Sequence, residues 1–173
     1  MPNHAGANGA PDSSNLPFPA RTKQAAGTIN GTLTDAMVVE FSDRIMVILS
    51  QRGRVVHWLR VSLDNSNPAT DGLHSIPSFG NGDGEEDDDS LLPLSSLTAS
   101  TLLGGHAPGQ EIYNQLLARQ IASAIVTKTP SEKRTLVVGL GLDRPSSSSS
   151  ASSASGEDRE TFFALVDLVL NCV

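Results

Sequence analysis

The 173 residues carry 12 Lys and Arg against 19 Asp and Glu, a formal net charge of −7, and a single Trp and Tyr. That composition offers no basic, aromatic-rich surface for nucleic acid. Cys172 is the only cysteine, which excludes an internal disulfide framework and is typical of a reducing compartment. The sequence shows neither a secretory signal at Met1 to His4 nor an apolar run near the ~20 residues that cross a bilayer. We therefore expect a cytoplasmic protein, possible also in the nucleus.

Three stretches rich in Gly, Pro, Ser, Asn and acidic residues are predicted to be disordered: 1–26, 64–96 and 144–156. About 100 residues remain, enough for one hydrophobic core but not two. The sequence thus predicts an N-terminal tail followed by one domain, 27–173, which an acidic loop and a serine-rich loop interrupt. Six acidic residues between Asn81 and Asp89 supply most of the net charge, so the rest of the chain is close to neutral.

Four strands are predicted in the first half of the domain. They are Thr28–Leu33, Asp35–Phe41, Arg44–Ser50 and Arg54–Leu63. The turn residues Ser42 and Asp43 predict a hairpin between the second and third, and Gln51 to Gly53 predicts another tight turn.

After the acidic loop, the pattern predicts a strand at Leu97–Leu103, a helix over Gln110–Lys128, a strand at Arg134–Leu142 and a final helix. Ser155 and Asp158 resemble a capping box at the start of that last helix. The expected buried stripe of the first helix comprises Ile112, Tyr113, Leu116, Leu117, Ile121 and Ile125.

This order predicts an α+β fold, an antiparallel sheet of about five to six strands with two helices. The helices can cover only one face, yet the central strands are apolar on both. Either the sheet folds back on itself as a sandwich, or a second polypeptide packs sheet on sheet to form a dimer. The candidate interface residues, taken from both faces because the pattern does not say which is free, are Met46, Val47, Ile48, Val56, Trp58 and Arg60.

We predict no catalytic, cofactor or metal site. Gly139 and Gly141 form a G-x-G at the end of a strand, but the third glycine of a dinucleotide site is missing, so we interpret them as making room for a close neighbour. Asn81–Asp89 lacks the spacing of a calcium loop. We expect His57 to be a buried core histidine or a partner contact, and Cys172 to be a packing residue.

Several segments resemble the proteasome assembly chaperone 3 family. They are Asp35–Leu49, Gln51–Gly53, Val61–Leu63, Leu102–Gly104, the helix around Ile112–Val126, Arg134–Val138 and the closing helix. The resemblance implies an α+β chaperone that pairs with a sister, assembly chaperone 4, and binds α subunits of the 20S proteasome to promote their assembly into a ring. A homodimer in isolation is also possible. The alternative is a dimeric adaptor of the longin or roadblock kind in trafficking or signalling, which also combines a sheet with few helices.

Overall fold

The computed structural model describes residues 20–64, 93–104, 109–143 and 156–173. The elements in chain order are β1 (Arg21–Ile29), β2 (Thr32–Glu40), β3 (Arg44–Gln51), β4 (His57–Ser62), β5 (Ala99–Leu103), α1 (Gln110–Lys128), β6 (Thr135–Gly141) and α2 (Gly156–Leu170). This confirms the predicted α+β class and element order. Most of the predicted tail, the acidic run and the serine tract lie outside the described residues.

The six strands form one mixed sheet in the order β1-β2-β3-β6-β4-β5. The prediction of a fully antiparallel sheet was wrong, because β3 and β6 pair in parallel. Although only a short connection joins β3 to β4, the two strands do not pair as neighbours, since β6 lies between them. The helix α1 links β5 to β6, which run in the same direction because both are antiparallel to β4. That parallel crossover brings the last strand into the middle of the sheet.

The first hairpin turns at Asn30 and Gly31, whose φ angles are 48° and 73°. These positive angles are those of a two-residue turn that favours Asn-Gly. The turn divides the segment predicted as the strand Thr28–Leu33, so that its two halves belong to β1 and β2. Because β2 offers nine partners, β1 extends back to Arg21, inside the stretch predicted to be disordered.

Both helices pack on the same face of the sheet. The helix α2 lies over β1, β2 and β3, α1 lies over β4, β5 and β6, and the two helices contact each other. Tyr113 and Phe162 meet edge to face between them, with ring centroids 5.7 Å apart. The fully buried centre of this layer includes Val47, Leu49, Leu59, Val61, Leu117, Ile121, Leu136, Val138, Leu140 and Val169.

Part of the predicted stripe of α1 was wrong. Leu117, Ile121 and Ile125 are buried as expected, but Ile112 is 72% exposed and Leu116 is 41% exposed. Successive residues turn by about 100°, so a series that starts at Ile112 lies on a different side of the helix from the one that starts one residue later. Neither helix, over its described residues, is long and apolar enough to cross a membrane.

Candidate partner-binding surface

The sheet has a second face, opposite the helices, which we call the open face. In β3, Val47 and Leu49 are fully buried under the helices, whereas Met46 and Ile48, which alternate with them, point the other way and are half-buried. The strand β4 alternates in the same manner, with Leu59 and Val61 under the helices. Strand geometry therefore places the intervening side chains of both strands on the open face.

The strand registers align the open-face side chains in two central rows that cross the sheet. The first, which we call the middle row, comprises Met37, Ile48, Gly139, Trp58 and Leu103. The second comprises Val39, Met46, Val137, Arg60 and Ser100. From β2 to β6, every side chain in these two rows is apolar. The open face thus carries a continuous apolar band across its centre.

Polar side chains border this band at both ends of the strands. Beyond the middle row, Asp35 pairs with Ser50. At the other end, Arg44 and Ser62 both pair with Thr135. An apolar centre inside a polar margin is the usual composition of a protein–protein interface.

The glycines of β6 lie where the connection from β3 to β4 crosses that strand. A Cβ added to Gly139 would lie 2.9 Å from Cζ3 of Trp58 and 3.1 Å from Cγ1 of Val55, and one added to Gly141 would overlap the carbonyl oxygen of Arg54. This confirms the interpretation that the two glycines make room for a close neighbour. The Trp58 ring therefore packs directly on the backbone of Gly139 within the apolar band.

Polar contacts fix the crossing connection in place. The carboxylate of Asp143 forms ion pairs with Arg52 (Nε to Oδ2, 3.0 Å) and with Arg54 (Nη2 to Oδ1, 3.1 Å). The side chain of Gln51 accepts a hydrogen bond from the backbone N–H of Asp143 at 2.7 Å and donates one to the hydroxyl of Thr34 at 2.9 Å. These contacts fix the first half of the connection that leads to Trp58.

The structure separates the six predicted interface residues. Met46, Ile48, Trp58 and Arg60 lie together on the open face. Val56, which is 51% exposed, lies in the connection just before β4, where its backbone N–H donates to the carbonyl of Leu140 at 2.9 Å. Val47 lies on the other face, fully buried in the core. It is therefore a core residue of this chain.

Sequence reasoning missed three residues of the apolar band: Met37, Val39 and Val137. In β2, Val38 and Val39 are adjacent, so the apolar pattern does not show which of them faces the helices. In β6 nearly every residue is apolar or glycine, and only the pairing of Val137 with Met46 assigns it to the open face. For Met37, the alternation of β2 was a usable signal, because it places this residue on the face opposite Ala36 and Val38.

The two other residues considered in the sequence, His57 and Cys172, are both buried. His57 is 8% exposed and packs against Gly104, whose φ of 142° suits glycine. Cys172 is 1% exposed, and burial raises the pKa of its thiol, which opposes formation of a reactive thiolate. Across residues 20–64, 93–104, 109–143 and 156–173, no three His, Cys, Asp or Glu side chains converge as a metal site requires.

No family model matches the sequence. No curated protein matches it either. Among solved structures, the chain is similar to a chain of a chaperone complex for yeast 20S proteasome assembly, with 12% sequence identity and a TM-score of 0.46. The similarity covers 86% of this chain and 98% of that one.

Proposed function

We propose that this chain is a proteasome assembly chaperone that pairs through its open face with a sister chaperone similar to assembly chaperone 4. The pair binds α subunits of the 20S proteasome and promotes their assembly into the α ring, in the cytoplasm and nucleus. The observation that carries the proposal is the apolar band on the open face, opposite a sheet face that two helices already fill.

The open face is large enough for a stable interface. Six strands spaced by about 4.8 Å, each about seven residues long at about 3.3 Å per residue, give a face of roughly 29 by 23 Å. The projected area of roughly 670 Å² approaches the ~800 Å² that each partner contributes to a standard interface. Trp58, Met37 and Met46 are of residue types that are enriched in interface centres. Sheet-on-sheet packing by a second α+β subunit therefore suits this surface.

The resemblance to the proteasome assembly chaperone 3 family favours the proteasome as the destination. Its first segment, Asp35–Leu49, forms the hairpin of β2 and β3. That hairpin contributes the half-buried Met37, Met46 and Ile48 to the apolar band, and Val39 lies buried beside them. The family resemblance and the partner surface thus coincide in one structural unit.

Such a chaperone acts by selective binding. A binding partner shifts an assembly equilibrium only by the difference between its affinities for the two states. The pair would therefore bind correctly neighbouring α subunits more tightly than free ones, and the completed ring would release it. This mechanism requires a shaped surface and no covalent step.

Affinity purification with mass spectrometry tests the proposal on the full tagged chain. The wild type should recover 20S α subunits together with a small partner of similar fold. The variant Trp58→Asp should fold but recover neither the α subunits nor the small partner. Binding would bury the new carboxylate in the apolar band without a compensating charge or hydrogen bond. Ser131→Asp, at an exposed position in the loop before β6, is the matched control and should recover both.

Two outcomes would contradict the proposal. Recovery of neither α subunits nor a small partner, under conditions that preserve assembly intermediates, would refute it. Recovery of small GTPases or coat components instead would favour the alternative of a longin-like or roadblock-like adaptor.

A further inference from the structure

The outer edge of β1 is unpaired. The sheet ends at this strand, and no other described strand lies beyond it. Because the turn at Asn30 and Gly31 has two residues, Ile29 and Thr32 form the closing hydrogen-bonded pair, and such pairs recur at every second residue along β1. The residues between them direct their backbone N–H and C=O groups outward: Thr22, Gln24, Ala26 and Thr28. None of these groups is hydrogen-bonded to another described residue.

The two edges of the sheet differ in how they are protected against pairing. At the far edge, β5 has five residues, and a bulge shifts its register with β4 next to Leu59. By contrast, the nine residues of β1 keep one register with β2, without a bulge or a proline. Short strands, bulges, prolines and charges are the usual protections of an edge. Of these, β1 has only the charges of Arg21 and Lys23, so it is the edge that can accept a further strand.

A depression on the open face extends inward from the β1 edge. Its volume is about 440 Å³, and its lining includes Gln24 and Ala26 of β1, Asp35 of β2 and Ile48 of β3. Asp35 is exposed and forms no ion pair or side-chain hydrogen bond within the described part of the chain. Its strand partner is Ala26, whose methyl group leaves the carboxylate accessible from the edge. The edge and the depression thus form one surface with an unpaired acid at its inner end.

An arginine on an added strand fits this depression. A strand that pairs with β1 would lie two strand spacings, about 10 Å, from the backbone of Asp35. Its residue opposite Ala26 points onto the open face, because directly opposite residues share a face. From there the aliphatic stem of an arginine passes over the methyl group of Ala26, and the guanidinium pairs with the carboxylate of Asp35. Arginine suits the site better than lysine, because its planar fork binds a carboxylate through two hydrogen bonds.

The other side of the same edge carries an unpaired base. Lys23 is exposed, and it forms no ion pair with another described residue. In an antiparallel added strand, the residue opposite Lys23 comes three positions after the one opposite Ala26, so its side chain points to the opposite face. An acidic residue there would pair with Lys23 directly. Apolar residues suit the positions opposite Ala25 and Gly27, which lie on the helix side of the sheet, where Gly27 is next to Leu168.

We propose that the edge of β1 binds an extended segment of a partner protein as an added antiparallel strand. The segment carries an arginine opposite Ala26, which pairs with Asp35, and an acidic residue three positions later, which pairs with Lys23. Main-chain hydrogen bonds provide affinity in this mode of binding, and the two charge pairs set the register. Asp35 lies in the polar margin beside the apolar band, so the edge can be occupied while another subunit covers the band. The inference therefore goes beyond the proposed function and does not depend on it.

Amide hydrogen exchange in the full chain, followed by NMR, tests this binding with a defined probe. The probe is the capped peptide Thr-Val-Arg-Val-Thr-Glu-Thr, which places its arginine opposite Ala26 and its glutamate opposite Lys23. At saturating peptide, exchange of the four outward N–H groups of β1 should slow by about tenfold or more, because they become hydrogen-bonded to the peptide. The alternate N–H groups, which already bond to β2, should change little.

Two variants separate the parts of the proposal. Asp35→Arg should weaken binding of the probe by about tenfold or more, because the pair with the peptide arginine becomes a repulsion. A second peptide, with glutamate in place of that arginine, should bind Asp35→Arg more tightly than the wild type. Ala26→Pro should keep the fold, since an edge strand tolerates proline where the N–H faces outward, yet abolish binding by removing a central donor. Glu160→Arg, exposed on α2, is the control for charge reversal and should leave binding unchanged.

Several results would overturn the inference. These are no saturable change in exchange with up to about 1 mM probe, equal binding by the wild type and Asp35→Arg, and protection that does not alternate along β1. Protection of the outward N–H groups that grows with protein concentration alone would assign the edge to a second copy and would equally overturn it. If Asp35→Arg fails to fold, Asp35→Asn replaces it and should weaken binding by about threefold or more. None of these results bears on recovery of α subunits, so failure here is distinguishable from failure of the proposed function.

Discussion

Replacing the two glycines of β6 by alanine should cost stability in proportion to what each new methyl group meets. At Gly139 the added Cβ would lie 2.9 Å from Cζ3 of Trp58 and 3.0 Å from Cη2. Carbon atoms pack at about 3.5 to 4.0 Å, so the indole must move outward by at least about 0.6 Å. Overpacking of this size costs typically about 1 to 3 kcal/mol.

The Gly141→Ala variant should be more severely destabilised, by about 3 kcal/mol or more. There the Cβ would overlap a backbone carbonyl, that of Arg54, which the ion pair with Asp143 and a bridge to Gln51 hold in place. A backbone carbonyl cannot change rotamer to escape. Gly27→Ala is the matched control in β1, because its Cβ would lie 3.4 Å from Cδ1 of Leu168, an ordinary contact.

Urea denaturation followed by the fluorescence of Trp58, the only tryptophan, measures all three variants. We expect Gly27→Ala to be neutral or stabilising by about 0.5 kcal/mol, since alanine restricts the unfolded chain. Gly139→Ala should also weaken partner binding, because the displaced indole lies in the apolar band. Equal stability of Gly141→Ala and Gly27→Ala would refute the crossing of β6 by the connection.

Three further predictions concern other parts of the fold. Val47→Asp should unfold the chain, because it places a carboxylate at a fully buried core position; a folded variant by circular dichroism would contradict the assignment of that face. A hydrogen bond from Arg134 lowers the pKa of Glu132 from 4.5 to about 2. Glu132→Gln should therefore lower the free energy of unfolding by about 1 to 2 kcal/mol at neutral pH, and the difference from the wild type should shrink as pH falls from about 4.5 to 2. If urea titrations give a difference that does not depend on pH, the pair of Glu132 and Arg134 is not its cause. Ile112→Ser should change stability by less than about 0.5 kcal/mol, whereas Ile121→Ser should cost more than about 3 kcal/mol; equal melting temperatures would contradict the corrected face of α1.

Local signals predicted the elements well. The helix over Gln110–Lys128 was predicted with the bounds that the structure has, because apolar residues recur at helical spacing over that stretch and Pro130 follows its end. The hairpin of β2 and β3 followed from two apolar runs and the short turn at Ser42 and Asp43. These features depend only on neighbouring residues.

The position of β6 could not be predicted, because it depends on contacts distant in sequence. The short connection after β3 favoured a second hairpin, in which β3 and β4 would pair directly. In the structure, the parallel crossover through α1 places β6 between these two strands, and the bridge between Gln51 and Arg54 remains at the turn. Gly139 and Gly141 were the sequence signal of this arrangement, because both lie against the connection that crosses β6. The alternation within β3 already placed Val47 and Met46 on opposite faces, but only the packing of the helices shows that Val47 belongs to the core and Met46 to the open face.

The burial of Trp58 by a partner can be measured by fluorine NMR, with the chain labelled with 5-fluorotryptophan and the partner unlabelled. Because the chain has one tryptophan, the free protein should give one resonance with a solvent isotope shift between H₂O and D₂O. Adding the partner recovered by affinity purification should move that resonance and abolish the isotope shift. A resonance and isotope shift that stay unchanged in a complex of demonstrated stoichiometry would show that the open face is not the binding surface.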